Sequence, residues 1–372
     1  MGAWFERHAR SLPWRQTRDP YAIWVSEIML QQTQVATVID YYHRFLHTFP
    51  TVSDLAAAEE QEVLTLWSGL GYYRRARQLH AAAKMVVQEF GGTFPTQFDD
   101  VLSLPGVGRY TAGAITSFAY DMPSPILEAN TIRLFSRLMG LELEPTTTAA
   151  QKELWAFAES LLPRRGGGSA AINQAVMELG SLVCKPAQPE CSSCSVSKFC
   201  VAYRQGTQLR LPVLKKKVPT EARVHGLVVV ARHGKYLMRR NGDGKWWQGL
   251  WDFPRVDITE LLAVSVGTRS VNGRPAANAS KLLETEPQES SLVEAALNSD
   301  LDLECKITQR LLVLRHAVTR YKISLHCFEA SLSAGQAKPL GVDWQWVELE
   351  VCDLPLTSTA AKLRRHLQGS TA

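Results

Sequence analysis

The chain has 372 residues, 45% of them hydrophobic and 21% charged, with a formal net charge of +5 and a pI near 8.8. That length allows two domains with separate cores, and the composition is ordinary for a soluble globular protein. No apolar run approaches the roughly 20 residues that span a bilayer, and residues 1–18 lack the apolar centre of a signal peptide, so an intracellular protein is expected.

From Tyr21 to about Cys200 the pattern is helical, with Ile28, Val35, Ile39, Tyr42 and Leu46 on one face of a 3.6-residue period. Gly91-Gly92, Pro95, Pro105, Pro123, Pro125 and Pro145 punctuate the region into many short helices. Between Leu104 and Ile115 a Pro-Gly-x-Gly turn containing Gly106 and Gly108 leads directly into a helix. Free N–H groups and the positive end of a helix dipole make such a turn a site for a phosphate, although tight packing of two helices accounts for the glycines equally well.

Cys184, Cys191, Cys194 and Cys200 are spaced C-x6-C-x2-C-x5-C in one short segment. Four thiolates so close in sequence point first to an iron–sulfur cluster. Zinc is the nearest rival, but its sites usually come as two close pairs, and only one close pair is present. Disulfides are disfavoured because Cys305, Cys327 and Cys352 are scattered and the total is odd.

Ten Lys or Arg against one acidic residue, Glu221, lie between Val201 and Arg240. Residues 206–221, with Pro212 and Pro219, read as a basic linker; a polyanionic partner is permitted and a solvated run explains Lys215, Lys216 and Lys217 as well. Beyond it, Val224–Val230, Tyr236–Met238 and Ile323–Phe328 are strand-like, giving a mixed α and β domain over 222–368. Gly267–Ser291 is rich in Gly, Asn, Ser, Pro and Glu and reads as a surface insertion of low order.

A helix–hairpin–helix followed about seventy residues later by the four-cysteine motif resembles the endonuclease III superfamily of base-excision DNA glycosylases. Within it the chain is most similar to the MutY-type adenine glycosylases, in Trp24–Val35, Gly69–Arg77, the hairpin, Asn173–Gly180 and the cysteines. The resemblance implies a two-domain protein. An all-α glycosylase domain over 1–205, with a cluster loop at 184–200 holding one [4Fe-4S] cluster, precedes an α+β Nudix-like lesion-recognition domain. It further implies a monomer that acts on double-stranded DNA carrying 8-oxoguanine:adenine mispairs, with no membrane, in the cytoplasm or nucleoid if bacterial. Whether adenine opposite guanine is also taken stays open.

Cleaving the N-glycosidic bond of deoxyadenosine needs an acid for the leaving base and an anion beside the sugar cation. By resemblance Glu27 is the general acid, and a buried carboxyl can keep its proton near neutrality. Arg15 corresponds to an adenine-pocket arginine, Gln32 to a residue inserted into the duplex, and Leu30 and Thr33 to contacts with the lesion strand. Gln31 and Gln32 also interrupt the apolar stripe, which points to DNA rather than core, and Tyr72 corresponds to a wedge beside the lesion. Where the family has a catalytic aspartate this chain has Glu128, longer by one methylene, followed by Asn130, which corresponds to the residue that holds the carboxylate. Tyr110 stands where bifunctional relatives have the lysine needed for a Schiff base, so a monofunctional enzyme is expected. The resemblance sets Tyr110 against the catalytic carboxylate.

The C-terminal resemblance is carried by Arg223–Phe253 and Gly249-Leu-Trp-Asp-Phe-Pro254, without the Glu-rich metal-binding helix of a Nudix hydrolase. Recognition rather than pyrophosphate cleavage is implied, with Thr319 keeping the hydroxyl of a lesion-contacting loop. An endonuclease III-like glycosylase/lyase acting on oxidised pyrimidines and a non-catalytic lesion-binding protein are the rival readings.

Overall fold

A computed structural model describes residues 1–163, 167–215, 219–244, 246–265, 286–333 and 341–369, with backbone alone at 286–287. The chain divides into two compact units, Met1–Lys216 and Lys217–Ala372. Among the described residues no helix is long and apolar enough to cross a membrane.

The first unit is helical: α1 (Gly2–His8), α2 (Pro20–Leu30), α3 (Val35–Thr48), α4 (Val52–Ala57), α5 (Glu60–Leu66) and α6 (Arg74–Phe90) are followed by α7 (Phe98–Ser103), α8 (Arg109–Tyr120), α9 (Ala129–Met139), α10 (Thr148–Ser160), α11 (Ser169–Leu182) and α12 (Val201–Gln205). Helix α2 starts sharply because Asp19 accepts from the Tyr21 N–H and Pro20 occupies the first turn. Every residue of α2 from Tyr21 to Met29 is buried, against α3, α6 and α8. Full burial of side chains such as Trp24 and Met29 contributes roughly 1.5–3 kcal/mol each, so this helix is a rigid support for anything it carries.

The expected stripe from Ile28 to Leu46 is corrected in two respects. The helix breaks between Leu30 and Val35, where Gln32 takes a left-handed conformation, and the buried line of α3 is Val38, Tyr42 and Phe45. Val35, Ile39 and Leu46 lie on its half-exposed flank. Helix α1 lies ahead of the expected start and buries Trp4. At the other end, residues 206–212 are not free linker: Leu211 is buried and its carbonyl accepts from Arg137 of α9.

The second unit is a mixed sheet of β1 (Glu221–Arg232), β2 (Lys235–Arg240), β3 (Trp251–Asp252), β4 (Arg255–Asp257), β5 (Cys305–Val318), β6 (Tyr321–Leu332) and β7 (Trp344–Val347), with α13 (Thr259–Ser265), α14 (Glu286–Leu301) and α15 (Ser358–Leu367). Its order is β3-β2-β1-β6-β5, with β4 on β1 and β7 on β2; among the described strands β1 and β6 pair in parallel and the other pairs are antiparallel. Alternation along β1 sends Val224, Val228 and Val230 into a core with α13 and α14, and Leu227 and Val229 into a core with α15. Gly226 permits the close approach of α14, since a Cβ there would lie 2.3 Å from Val293. Most of the expected loose insertion lies outside the described residues. Its last part is α14, with Glu289 buried beside His326, and so is ordered helix.

Candidate active site

In the first unit a cavity of about 200 Å³ gathers Arg15, Glu27, Leu30, Thr33, Tyr110, Glu128 and Asn130. Helix α2 supplies Glu27 from its buried length, α8 supplies Tyr110 one residue past its start, and the loop into α9 supplies Glu128. Glu27 is 4% exposed, and its Oε2 accepts from the Tyr110 hydroxyl at 2.7 Å. Burial raises its pKa, the Tyr110 hydrogen bond and Arg15 oppose this, and Glu128 adds to it; the balance is about 7. A carboxyl in that state can donate a proton near neutral pH. Tyr110 thus faces Glu27 by its hydrogen bond, rather than Glu128.

Glu128 is the N-cap of α9. Its Oε2 accepts from the Asn130 N–H at 2.9 Å and from Asn130 Nδ2 at 3.2 Å, while Oε1 accepts from the Thr131 N–H at 2.9 Å. Its pKa is raised, chiefly by burial, and those backbone donors with Arg133 limit the rise. Asn130 is fixed in turn: Arg133 Nη2 donates to its Oδ1 at 2.8 Å, and Arg133 also reaches the carbonyls of Gly180 and Cys184 at 2.7 Å. Gly180 has no Cβ because one would lie 2.9 Å from Asn130.

Residues missed in the sequence complete the cavity. Glu178 of α11 is fully buried and accepts from Arg10 N, Nε and Nη2 and from Arg15 Nη2, all at 2.8–2.9 Å. These donors outweigh burial and hold its carboxyl down at about 2. Arg15 therefore lines the cavity as a cation locked by an anion. A lone acid among Ala175, Val176 and Leu179, all buried, was the available signal.

The remaining residues lie on the surrounding loops. Gln32 and Tyr72 are exposed, Tyr72 by 58%, and both are non-glycine residues at positive φ, 59° and 49°. Such conformations cost on the order of 1–3 kcal/mol each and persist where surrounding structure enforces them. Gln31 turns its amide toward Thr111 Oγ1 of α8 at 3.5 Å. In the hairpin, Gly106 has φ of 77° and a Cβ would lie 2.7 Å from Gln78, so packing requires it. Gly108, the N-cap of α8, is exposed, and a Cβ there would meet no such obstacle.

The four cysteines, none of them in a disulfide, line one pocket walled by Leu134, Leu138, Val183 and Pro189. Arg137, 2% exposed, donates to Cys184 Sγ at 3.3 Å and to the carbonyls of Lys185 and Pro186, while Cys200 Sγ lies 3.4 Å from the Arg137 carbonyl. Lys185 is paired with Glu190, and Lys198 is exposed. Thr319 belongs to the second unit, in the two-residue turn between β5 and β6, where its hydroxyl bonds to the Val318 carbonyl. That unit has its own open cavity of about 680 Å³, lined by His225, Arg239, Trp246, Trp247 and Arg255. The Arg255 guanidinium lies 4.4 Å over the Trp247 ring.

Residues 25–160 match the HhH-GPD superfamily of base excision DNA repair proteins. The adenine DNA glycosylase of Buchnera aphidicola subsp. Schizaphis graminum is 37% identical over 255 residues, covering 68% of this chain and 73% of that protein. That of Rattus norvegicus is 46% identical over 222 residues, 57% of this chain, and the match spans 42% of the longer rat protein. A thermostable thymine-DNA glycosylase of known structure is similar with a TM-score of 0.51 at 31% identity, covering 55% of this chain and 93% of that one. The chain belongs to the adenine DNA glycosylase family, whose members hydrolyse N-glycosidic bonds in base excision repair.

Proposed function

We propose that this glycosylase removes adenine paired with 8-oxoguanine from duplex DNA, with Glu27 as general acid and Glu128 as the anion beside the sugar cation. One observation carries the assignment: beside Glu178, which is locked by Arg10 and Arg15, a single cavity holds two further carboxyls, one poised near pH 7 and one anchored on a helix N-terminus. Glu27 protonates the departing base; Glu128, oriented by Asn130, stabilises the developing positive charge; water is the eventual nucleophile. Arg15, held by Glu178, and Leu30 and Thr33 shape the adenine pocket and its rim. No lysine is among the residues lining the cavity, and Tyr110 cannot form a Schiff base, which supports a monofunctional reaction. Gln32 and Tyr72 supply exposed, conformationally strained tips that can fill a vacated stack. The exposed Gly108 and the start of α8 suit a phosphate.

The four cysteines lining one pocket support a [4Fe-4S] cluster, which takes four thiolate ligands, and the Arg137 guanidinium beside Cys184 would offset part of its negative charge. Cys184, Cys191, Cys194 and Cys200 would hold it, and when bound it would brace the loop between α11 and α12. The second unit, a mixed sheet with helices on both faces, supports a Nudix-like lesion-reading role. Its aromatic and cationic cavity suits a base and a phosphate, and α13 offers one acid, Glu260, where a hydrolase would need several. The protein would act as a monomer.

Single-turnover assays on duplexes with adenine opposite 8-oxoguanine, guanine or thymine test the proposal. Adenine release with strand scission only after alkali is expected, fastest opposite 8-oxoguanine, and lost in Glu27→Gln with binding retained. Scission without alkali would establish a lyase, binding without release a non-catalytic lesion binder, and equal rates opposite all three bases would remove the lesion specificity.

A further inference from the structure

Arg75, the second residue of α6, is 8% exposed, and its charge is met by carbonyl dipoles and rings rather than by a carboxylate among the described residues. Its Nη1 donates to the carbonyls of Ile28 at 2.8 Å, Met29 at 2.9 Å and Gln31. Its Nη2 donates to Thr33 Oγ1 at 3.1 Å and to the carbonyls of Leu70 at 3.3 Å and Gly71 at 3.1 Å. The guanidinium also lies 5.4 Å from the Trp67 ring and 5.5 Å from the Tyr72 ring.

Two of those acceptors, Ile28 and Met29, are carbonyls of the last turn of α2, which ends at Gln31 without a left-handed glycine to satisfy them. Arg75 therefore substitutes for a C-cap on the helix that carries Glu27. The other acceptors flank Gln32 on one loop and lead directly into Tyr72 on another. Both tips have backbone conformations that side chains rarely adopt, and one planar fork bonds beside each. Buried this way, with every nitrogen but Nε engaged, the fork has no freedom to serve the two loops independently.

We propose that Arg75 is a positioning residue that locks the loops bearing Gln32 and Tyr72 into one rigid two-pronged wedge and fixes that wedge to the end of the helix carrying Glu27. The proposal rests on the reading of Gln32 and Tyr72 as groups that enter the duplex. Its consequence is specific: Arg75 governs extrusion of the target nucleotide, and the proton transfer from Glu27 is unchanged once the base is in place.

The test uses the full chain and duplexes with adenine opposite 8-oxoguanine, with 2-aminopurine beside the mispair to report unstacking. Arg75→Met should slow single-turnover adenine release by about a hundredfold, as small misplacements do, and blunt the fluorescence rise. The alkaline midpoint of its rate should stay at the wild-type pH. Combining it with Tyr72→Ala or Gln32→Ala should add nothing beyond the poorer single variant, because one unit has already been lost. Arg75→Lys, which keeps the charge but presents a single ammonium, should fold and fall between wild type and Arg75→Met. Losses that multiply, a wild-type rate in Arg75→Lys, or a shifted midpoint would overturn the clamp. If Tyr72→Ala and Gln32→Ala both excise normally, the wedge reading itself fails. If they are slow while Arg75→Met is normal, only the clamp does.

Discussion

The pH dependence of adenine release follows directly from how Glu27 is held. Its carboxyl is raised to about 7 chiefly by burial, with Glu128 adding to the shift and the Tyr110 hydroxyl and Arg15 opposing it. If protonated Glu27 is the acid, the single-turnover rate should be level below about pH 6 and halved near pH 7. Above that it should fall about tenfold per pH unit, following the acid form of a single group. Replacing Tyr110 with Phe removes the donor 2.7 Å from Glu27 Oε2 and little else. That hydrogen bond favours the carboxylate, so its loss must favour the acid and move the midpoint upward. A hydrogen bond to a charged group contributes about 1.5–3 kcal/mol, and 1.36 kcal/mol corresponds to one pH unit. The midpoint should therefore rise by about one to two units, leaving Tyr110→Phe faster than wild type at pH 9 in the same single-turnover assay. A midpoint that stays fixed or falls would show that Glu27 is not the group titrating, or that Tyr110 does not stabilise its anion.

Glu128→Gln should abolish excision on the same substrate while Glu128→Asp leaves measurable activity, because an amide cannot neutralise a sugar cation; equal rates for wild type and Glu128→Gln would dismiss the assignment. The purified protein should be brown and contain about four irons per chain by metal analysis, with one zinc and no iron as the contrary result. Cys184→Ser should lower thermal stability and slow excision together, since Arg133 bonds both the Cys184 carbonyl and Asn130; full activity without iron would disconnect them. Glu178→Gln should destabilise the fold by about 2–3 kcal/mol at pH 7 in denaturant titration, a figure kept modest because Arg10 is partly exposed. Since the Glu178 carboxyl is held below its unfolded value, to about 2, that gap should close as pH falls from about 4.5 through 2.

Much of this site was legible because short motifs fixed it. Glu27 sits before Met29-Leu30-Gln31-Gln32-Thr33, and Glu128 and Asn130 sit in one run, so the family resemblance of two short segments pointed to both carboxyls, which the residues alone did not single out. What sequence could not carry was the pairing of residues far apart in the chain. Glu178 lies within a segment that resembled the family, yet its partners Arg10 and Arg15 are 168 and 163 residues away. Arg75 looked like one basic residue among several in Gly69–Arg77; only the meeting of α2 with the start of α6 turns it toward six acceptors. Periodicity failed where the chain left the helix. A stripe drawn through Gln31–Gln34 assumed unbroken helical turns, and the left-handed Gln32 rotated everything after it. Composition misjudged residues 286–291 for a related reason, since Ser and Glu read as loose chain until Glu289 finds His326 across the fold.

The extra methylene of Glu128 is taken up locally. The side chain folds back onto the first turn of its own helix, so its two oxygens accept from the backbone N–H groups two and three residues on, as a shorter N-cap residue would. The backbone retains the geometry of a capped start, and the carboxylate still lines the cavity with Asn130 beside it. The contrast with Glu27 then separates their work. Glu27 lies mid-helix with one hydroxyl donor and near-complete burial, an environment that favours the neutral acid. Glu128 has two backbone N–H groups, an amide and the positive end of α9, which favour the anion and limit, without reversing, the rise that burial imposes on its pKa. Two glutamates of one cavity are thereby held differently, one by a single hydroxyl donor and one by three N–H donors at a helix start, and departure of a purine from a sugar calls for both an acid and an anion.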